Sequence, residues 1–142
     1  MYLLDTNVIS ELAPTKAAAS QLLQSWIHDN ATILFISVVT ASEIEGGITK
    51  AERTGANSKA AILRSWWSKI EVAWSDRLLP FDLKAAHAAG RMADHARAHR
   101  PQYQDLAIAA TAQVHGLTVL THNEKHFEPL DVPFLNPLHV RA

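Results

Sequence analysis

Cysteine is absent from the 142 residues, neither sign of charge dominates (net −1), and no apolar run extends past six residues. Without cysteine there is no disulfide framework, zinc–thiolate site or thiol nucleophile, and the chain suits a reducing compartment. The short runs fall far below a membrane span. The start Met1-Tyr2-Leu3-Leu4-Asp5 puts an acid where a signal peptide would be apolar. Repeats, linkers and low-complexity tracts are missing too. The expectation is a soluble, cytoplasmic protein forming one domain over residues 1–142, with 48% hydrophobic residues to build its core.

The charge that is present is unevenly spread. Residues 50–100 carry ten Lys or Arg against five Asp or Glu, and the rest of the chain carries three against nine. A basic middle beside acidic flanks can offer a polyanion a footprint next to a carboxylate cluster. Solvated outer faces of helices explain the same pattern, and alone it does not identify a nucleic-acid binder.

Hydrophobic periodicity gives the order of elements. Tyr2-Leu3-Leu4 reads as a buried strand ending at Asp5, followed by a brief helix over 7–12 that Pro14 closes. Ala19, Leu22, Leu23, Trp26 and Ile27 recur at helical spacing over 16–29. Ile33 to Ile36 is a second buried strand, and Ser37 or Thr40 caps a helix running through Glu43 to about Arg53. A further helix begins at Asn57 or Ser58 and carries Ile62, Leu63, Trp66, Trp67 and Ile70. Leu78 to Phe81 is a third strand weakened by Pro80, and Asp82 caps a helix over 83–98. A helix over 104–115 ends at Gly116, Thr118 to Thr121 is a strand, and Val132 to Leu135 a last short one. Strands alternating with helices predict an α/β fold of three layers, α/β/α, around a mostly parallel sheet.

Functional groups in such sheets gather at the carboxyl ends of the strands. Asp5 and Asn123 stand there, and Glu43 and Asp105 occupy the opening turns of helices among apolar neighbours. Either helix acid alone is explained by the favourable position of a carboxylate at a helix N-terminus. Together with Asp5 they suggest a carboxylate cluster, which costs energy unless paired or coordinated. Oxygen-only ligands select Mg²⁺, with Mn²⁺ as substitute, and such an ion supports in-line displacement at phosphorus. The reaction class that follows is phosphodiester hydrolysis.

At full length the chain resembles PIN-domain ribonucleases, specifically VapC-type toxins of type II toxin–antitoxin systems near the FitB-like branch. The resemblance is carried by Leu3-Leu4-Asp5-Thr6-Asn7-Val8-Ile9-Ser10-Glu11-Leu12 and by Ser37-Val38-Val39-Thr40-Ala41-Ser42-Glu43-Ile44. Leu79-Pro80-Phe81-Asp82, Asp105 to Ala112 and His115 to Asn123 continue it, closed by Phe127 and Asn136-Pro137. It implies a metal site of Asp5, Glu43 and Asp105, with Thr6 and Thr121 as supporting hydroxyls that hold water or a carboxylate. It places Asn123 in the catalytic set, where many relatives carry a fourth acid. The lost charge leads us to expect one firmly held Mg²⁺, any second ion arriving with the phosphate. The resemblance further implies a VapB-type antitoxin, operator DNA reached only through it, a homodimer, and an RNA substrate, transfer RNA or a ribosomal stem-loop. Arg64, Lys69, Arg91, Arg97 and Arg100 are candidate contacts to RNA phosphates. Trp66 and Trp67, about 100° apart on one helix, are candidates for a groove that takes the antitoxin, while Trp26 reads as core.

Other signals are set aside. His95 with His99 and His122 with His126 have helical ligand spacing but lack the acid of an H-E-x-x-H helix; His122 flanks the site without being assigned to catalysis. Asn7 cannot be the second acid of an Asp-x-Asp phosphatase. Glu45 points away from Glu43 on the helix, and Asp94 is a surface charge. Two functions follow: a metal-dependent endoribonuclease toxin, or a catalytically weak binding module that acts with its antitoxin on operator DNA.

Overall fold

The structure is a computed structural model that describes residues 1–16 and 21–140. Ala19 therefore lies outside the described residues. Five short strands form one parallel sheet: β1 (Tyr2–Leu4), β2 (Leu34–Ser37), β3 (Leu78–Leu79), β4 (Thr118–Leu120) and β5 (Phe134–Leu135), in the order β3-β2-β1-β4-β5. The helices are α1 (Thr6–Ser10), α2 (Gln21–Asp29), α3 (Val38–Arg53), α4 (Asn57–Ala73), α5 (Leu83–His95), α6 (Tyr103–His115), α7 (Glu124–Phe127) and α8 (Pro137–Val140).

Successive side chains of a strand point to opposite faces, and the core follows that rule. Leu3 and Val119 enter one cluster with Ala88, Met92, Ile108 and Phe127, from α5, α6 and α7. Leu4, Leu120, Leu34 and Ile36 enter the other with Val8, Leu23, Ile48 and Trp67, from α1 to α4. The expected three layers are thus present. Helix α6 is buried on every side from Leu106 to Ala112, as a helix with no polar face must be.

Local chemistry sets the ends. Ser37, not Thr40, caps α3, its hydroxyl accepting from Val39 N at 3.0 Å, and Asp82 caps α5 by accepting from Ala85 N at 3.0 Å. Gly116 ends α6 at φ 66°, a left-handed position suited to glycine. Three expectations need correction. The strand at 78–81 stops at Leu79, because Pro80 offers no donor to a ladder. The helix over 83–98 ends at His95 and tightens into a 3₁₀ turn, Arg97–His99. Trp26 is half-buried, packing edge-on to Tyr2 at 5.8 Å between ring centres.

The chain lays β2 and β3 successively on one side of β1, then returns to lay β4 and β5 on the other. The crevice at the carboxyl ends of β1 and β4 is therefore a topological switch point, where ligands of open parallel sheets bind.

Candidate active site

Asp5 is the residue after β1 and sits in that crevice, 5% exposed. Its backbone N–H donates to Leu120 O at 2.9 Å, which locks the ends of β1 and β4 together. Its Oδ1 accepts from Thr6 N at 2.8 Å and its Oδ2 from Thr121 Oγ1 at 2.8 Å. Thr121 is fully buried, and its hydroxyl oxygen accepts from Asn123 N at 3.0 Å and Asn7 Nδ2 at 3.4 Å. Asn7 Oδ1 in turn accepts from His122 N at 3.3 Å.

The second acid arrives on α3. Thr6 Oγ1 donates to Glu43 Oε1 at 2.7 Å and lies 3.0 Å from the hydroxyl of buried Thr40. A hydroxyl has one proton, so Thr40 must be the donor in that second bond. Glu43 is exposed rather than sunk in an apolar helix face, because Ile44 and Ile48 take the buried stripe of α3. Asp105, in the first turn of α6, is half-buried, and its Oδ2 lies 3.2 Å from His126 Nδ1.

The three acids share one electrostatic environment. Burial pushes the Asp5 carboxyl up, against the hydrogen bonds from Thr121 and Thr6, and the charge of Asp105 raises it further. Burial also raises Glu43, with Asp5 adding repulsion, and raises Asp105, with His126 opposing and Glu43 adding repulsion. Each acid thus feels another of the set. A divalent cation relieves such a conflict. As the side chains stand, no group of three acids or histidines among the described residues encloses an ion. Glu43 faces Thr6 and Asp105 faces His126, yet carboxylate oxygens so engaged keep a further lone pair. The donor chemistry, carboxylate oxygens, fits a hard ion.

Asn123 caps the start of α7 and is exposed; its contact with the cluster is through its backbone N–H. Among the basic candidates, Arg64 is held by Glu45 and Glu52, at 3.2 and 2.8 Å, and Arg97 lies 3.8 Å from Asp94. Lys69 and Arg91 are exposed on α4 and α5. Arg100 lines a depression with Asp105, Lys125 and His126. Trp67 is 3% exposed and belongs to the core, so its assignment to a partner groove is corrected: the α4 stripe of Ala60 and Trp67 is buried in the core cluster, with α4 packed on α3. Trp66 is half-buried and borders two grooves, one with Glu43, Lys16 and Lys59 and one with Ile9, Ile27 and Trp74.

Sequence reasoning missed Thr40, Asn7 as a scaffold, and His126. Thr40 is three residues before Glu43 and so on its helix face, a usable signal. The pairing of His126 with Asp105 crosses from α7 to α6 and had none. His122 Nε2 lies 2.6 Å from Glu11 Oε1, within ion-pair distance.

The sequence profile of the family described as PIN domain matches residues 2–132. Toxin FitB of Neisseria gonorrhoeae is 32% identical over 143 residues, covering 98% of this chain and 99% of that protein. VapC ribonuclease Y4jK of Sinorhizobium fredii is 31% identical over 140 residues, covering 96% and 97%. Among solved structures, FitAcB from N. gonorrhoeae superposes with a TM-score of 0.83 at 30% identity, over 98% of this chain and 99% of that one. FitAB bound to an IR36 DNA fragment gives 0.82 at 30% identity, over 98% and 96%.

Proposed function

The chain belongs to the PIN-domain family, and from that premise we propose that it is the toxin of a type II toxin–antitoxin pair and a divalent-metal-dependent endoribonuclease. One observation supports the reading: three carboxylates stand around the switch point, each raised by burial and each repelled by another of the three. Asp5, Glu43 and Asp105 would hold the ion, Mg²⁺ with Mn²⁺ as substitute. Such an ion supplies an acidified water and stabilises charge developing at phosphorus.

The chain's own groups do the rest. Thr121 and the Thr6 amide hold Asp5 by both oxygens, and Thr6, held in turn by Thr40, fixes one oxygen of Glu43. Asn123 presents an amide at the rim in place of a charge, consistent with one firmly held ion. A VapB-type antitoxin neutralises the toxin, and the solved FitAB complex on DNA supports operator binding through that partner. A homodimer, with residues 1–142 as one PIN domain, is the assembly unit.

The weak-nuclease alternative is favoured by the neutral Asn123, which stands where many relatives carry a fourth acid. Cleavage of total RNA by the partner-free protein, with Mg²⁺ or Mn²⁺ and with EDTA, tests both. Discrete metal-dependent fragments, lost in Asp5→Ala and Asp105→Asn, support the nuclease. No cleavage by folded, metal-loaded wild type overturns it in favour of the binding module.

A further inference from the structure

Arg100 is the single non-glycine residue among those described with a left-handed backbone, at φ 48° and ψ 55°, where it closes the 97–99 turn. Glycine or asparagine ordinarily stands at such a position, and the following Pro101 disfavours helical geometry in the residue before it. A strained residue of this kind points to a task for its side chain. Arg100 lines a depression of about 300 Å³ with Gln102, Asp105, Lys125 and His126. Among the described residues neither Arg100 nor Lys125 has an acidic partner within ion-pair distance, as is also true of most other lysines and arginines here, so both are available to an anion beside Asp105.

We propose that this depression is a phosphate subsite, in which Arg100 and Lys125 hold the nucleotide next to the cleaved bond of a single-stranded RNA. The proposal rests on the nuclease reading and extends it to one wall of the site. Asp105 belongs both to the depression and to the acid cluster, so a strand seated on the two cations has its next phosphate at the carboxylates. An acidic peptide would meet the same cations; the RNA strand is preferred because it follows from the nuclease reading, and antitoxin capture in the test below separates the two. The groove on the Glu43 side also carries two cations, Lys16 and Lys59, but sets them beside Ile44, Ile48, Leu63 and Trp66; the proposal concerns the Asp105 side alone, where Arg100 and Lys125 stand.

The test measures binding of a labelled single-stranded oligoribonucleotide to the full chain by fluorescence anisotropy, in EDTA to prevent cleavage, across a salt series. Variants are Arg100→Asn, which tolerates the left-handed backbone, Lys125→Gln and their double. Arg53→Gln is the control, about 15 Å along α3 from Glu43. Each phosphate contact contributes about 0.7 to the slope of log K against log salt for a single strand, so the double variant should lose about 1.4. Its KM for cleavage should rise roughly tenfold with kcat retained, and the control should match wild type. An unchanged slope and KM in the double variant, with wild type cleaving, overturns the subsite and leaves the nuclease reading intact. Wild type that binds with the full slope but does not cleave overturns the nuclease reading and keeps the subsite. Loss of antitoxin capture in the double variant, with the RNA slope unchanged, overturns the subsite in favour of a protein partner.

Discussion

Adding a divalent ion should stabilise the fold, and the size of the effect follows from linkage. An ion that binds the native state alone adds about 2.7 kcal/mol when its free concentration is a hundred times its dissociation constant. A chain of 142 residues has an unfolding entropy of about 0.3 kcal/mol/K, so Tm should rise about 9 °C. The three carboxyl groups all lie above their ordinary values. A raised carboxyl contributes stability that is present below its unfolded pKa and lost as pH rises through its folded pKa. Metal-free protein should therefore lose stability across that window, as the acids ionise against one another. The gain from metal should grow over the same window, since each acid must shed its proton to take the ion. Differential scanning fluorimetry with Mn²⁺ or EDTA, at about pH 5 and about pH 8, reads both effects. Asp5→Asn should abolish the metal shift. An equal shift in Asp5→Asn, or none in wild type at the higher pH, would refute the carboxylate site.

Three further outcomes are expected. Thr121→Val should cost about 1–3 kcal/mol by urea denaturation, since it leaves buried Asp5 without its Oδ2 donor. It should also move the acid limb of the pH–rate profile upward, because that hydrogen bond lowers the Asp5 pKa. Trp67→Ala should cost about 3–5 kcal/mol, whereas Trp66→Ala, half-buried at a groove edge, should cost less and weaken antitoxin binding in a pull-down titration. Asp82→Ala should cost about 1 kcal/mol of stability through the lost α5 cap, with the RNA cleavage rate unchanged.

The parts of the fold legible in the sequence are those set by local rules. Tyr2-Leu3-Leu4 ended by an acid, the Asp82 cap and the Gly116 stop each state their own structure, and the structure follows them. Strand order was not so encoded, because a short apolar run does not name its neighbour. The candidate acids were singled out by position, Asp5 at a strand end and Glu43 and Asp105 in opening turns of helices, and as a metal set by the family resemblance; the apolar neighbours of Glu43 in sequence did not bury it. What escaped depends on contacts between distant elements: His126 reaching Asp105, Asn7 bridging to Thr121, Lys16 and Lys59 beside Glu43. The paired tryptophans show the opposite limit. Spacing says that they diverge on α4, but only packing decides that Trp67 is the one buried in the core.

The hydroxyl network explains how the cluster can be ordered without cancelling its charge. Thr121 accepts from the Asn123 amide and from Asn7, so its own proton is directed at Asp5. Thr40 likewise donates to Thr6, whose proton goes to Glu43. Both relays run toward carboxylates and fix them as acceptors. A lysine or arginine in the same places would hold the acids equally well, but its charge would remove the attraction that recruits a divalent ion. Neutral donors keep the geometry while leaving the repulsion for an ion to relieve. Asn123 fits this scheme, since its backbone N–H anchors Thr121 whatever its side chain carries. Asn123→Asp should therefore leave the Thr121–Asp5 bond in place and add one charge at the rim. It should raise the Tm gain from Mn²⁺ above that of wild type, and a gain unchanged by the added acid would show that position 123 lies outside the reach of the ion.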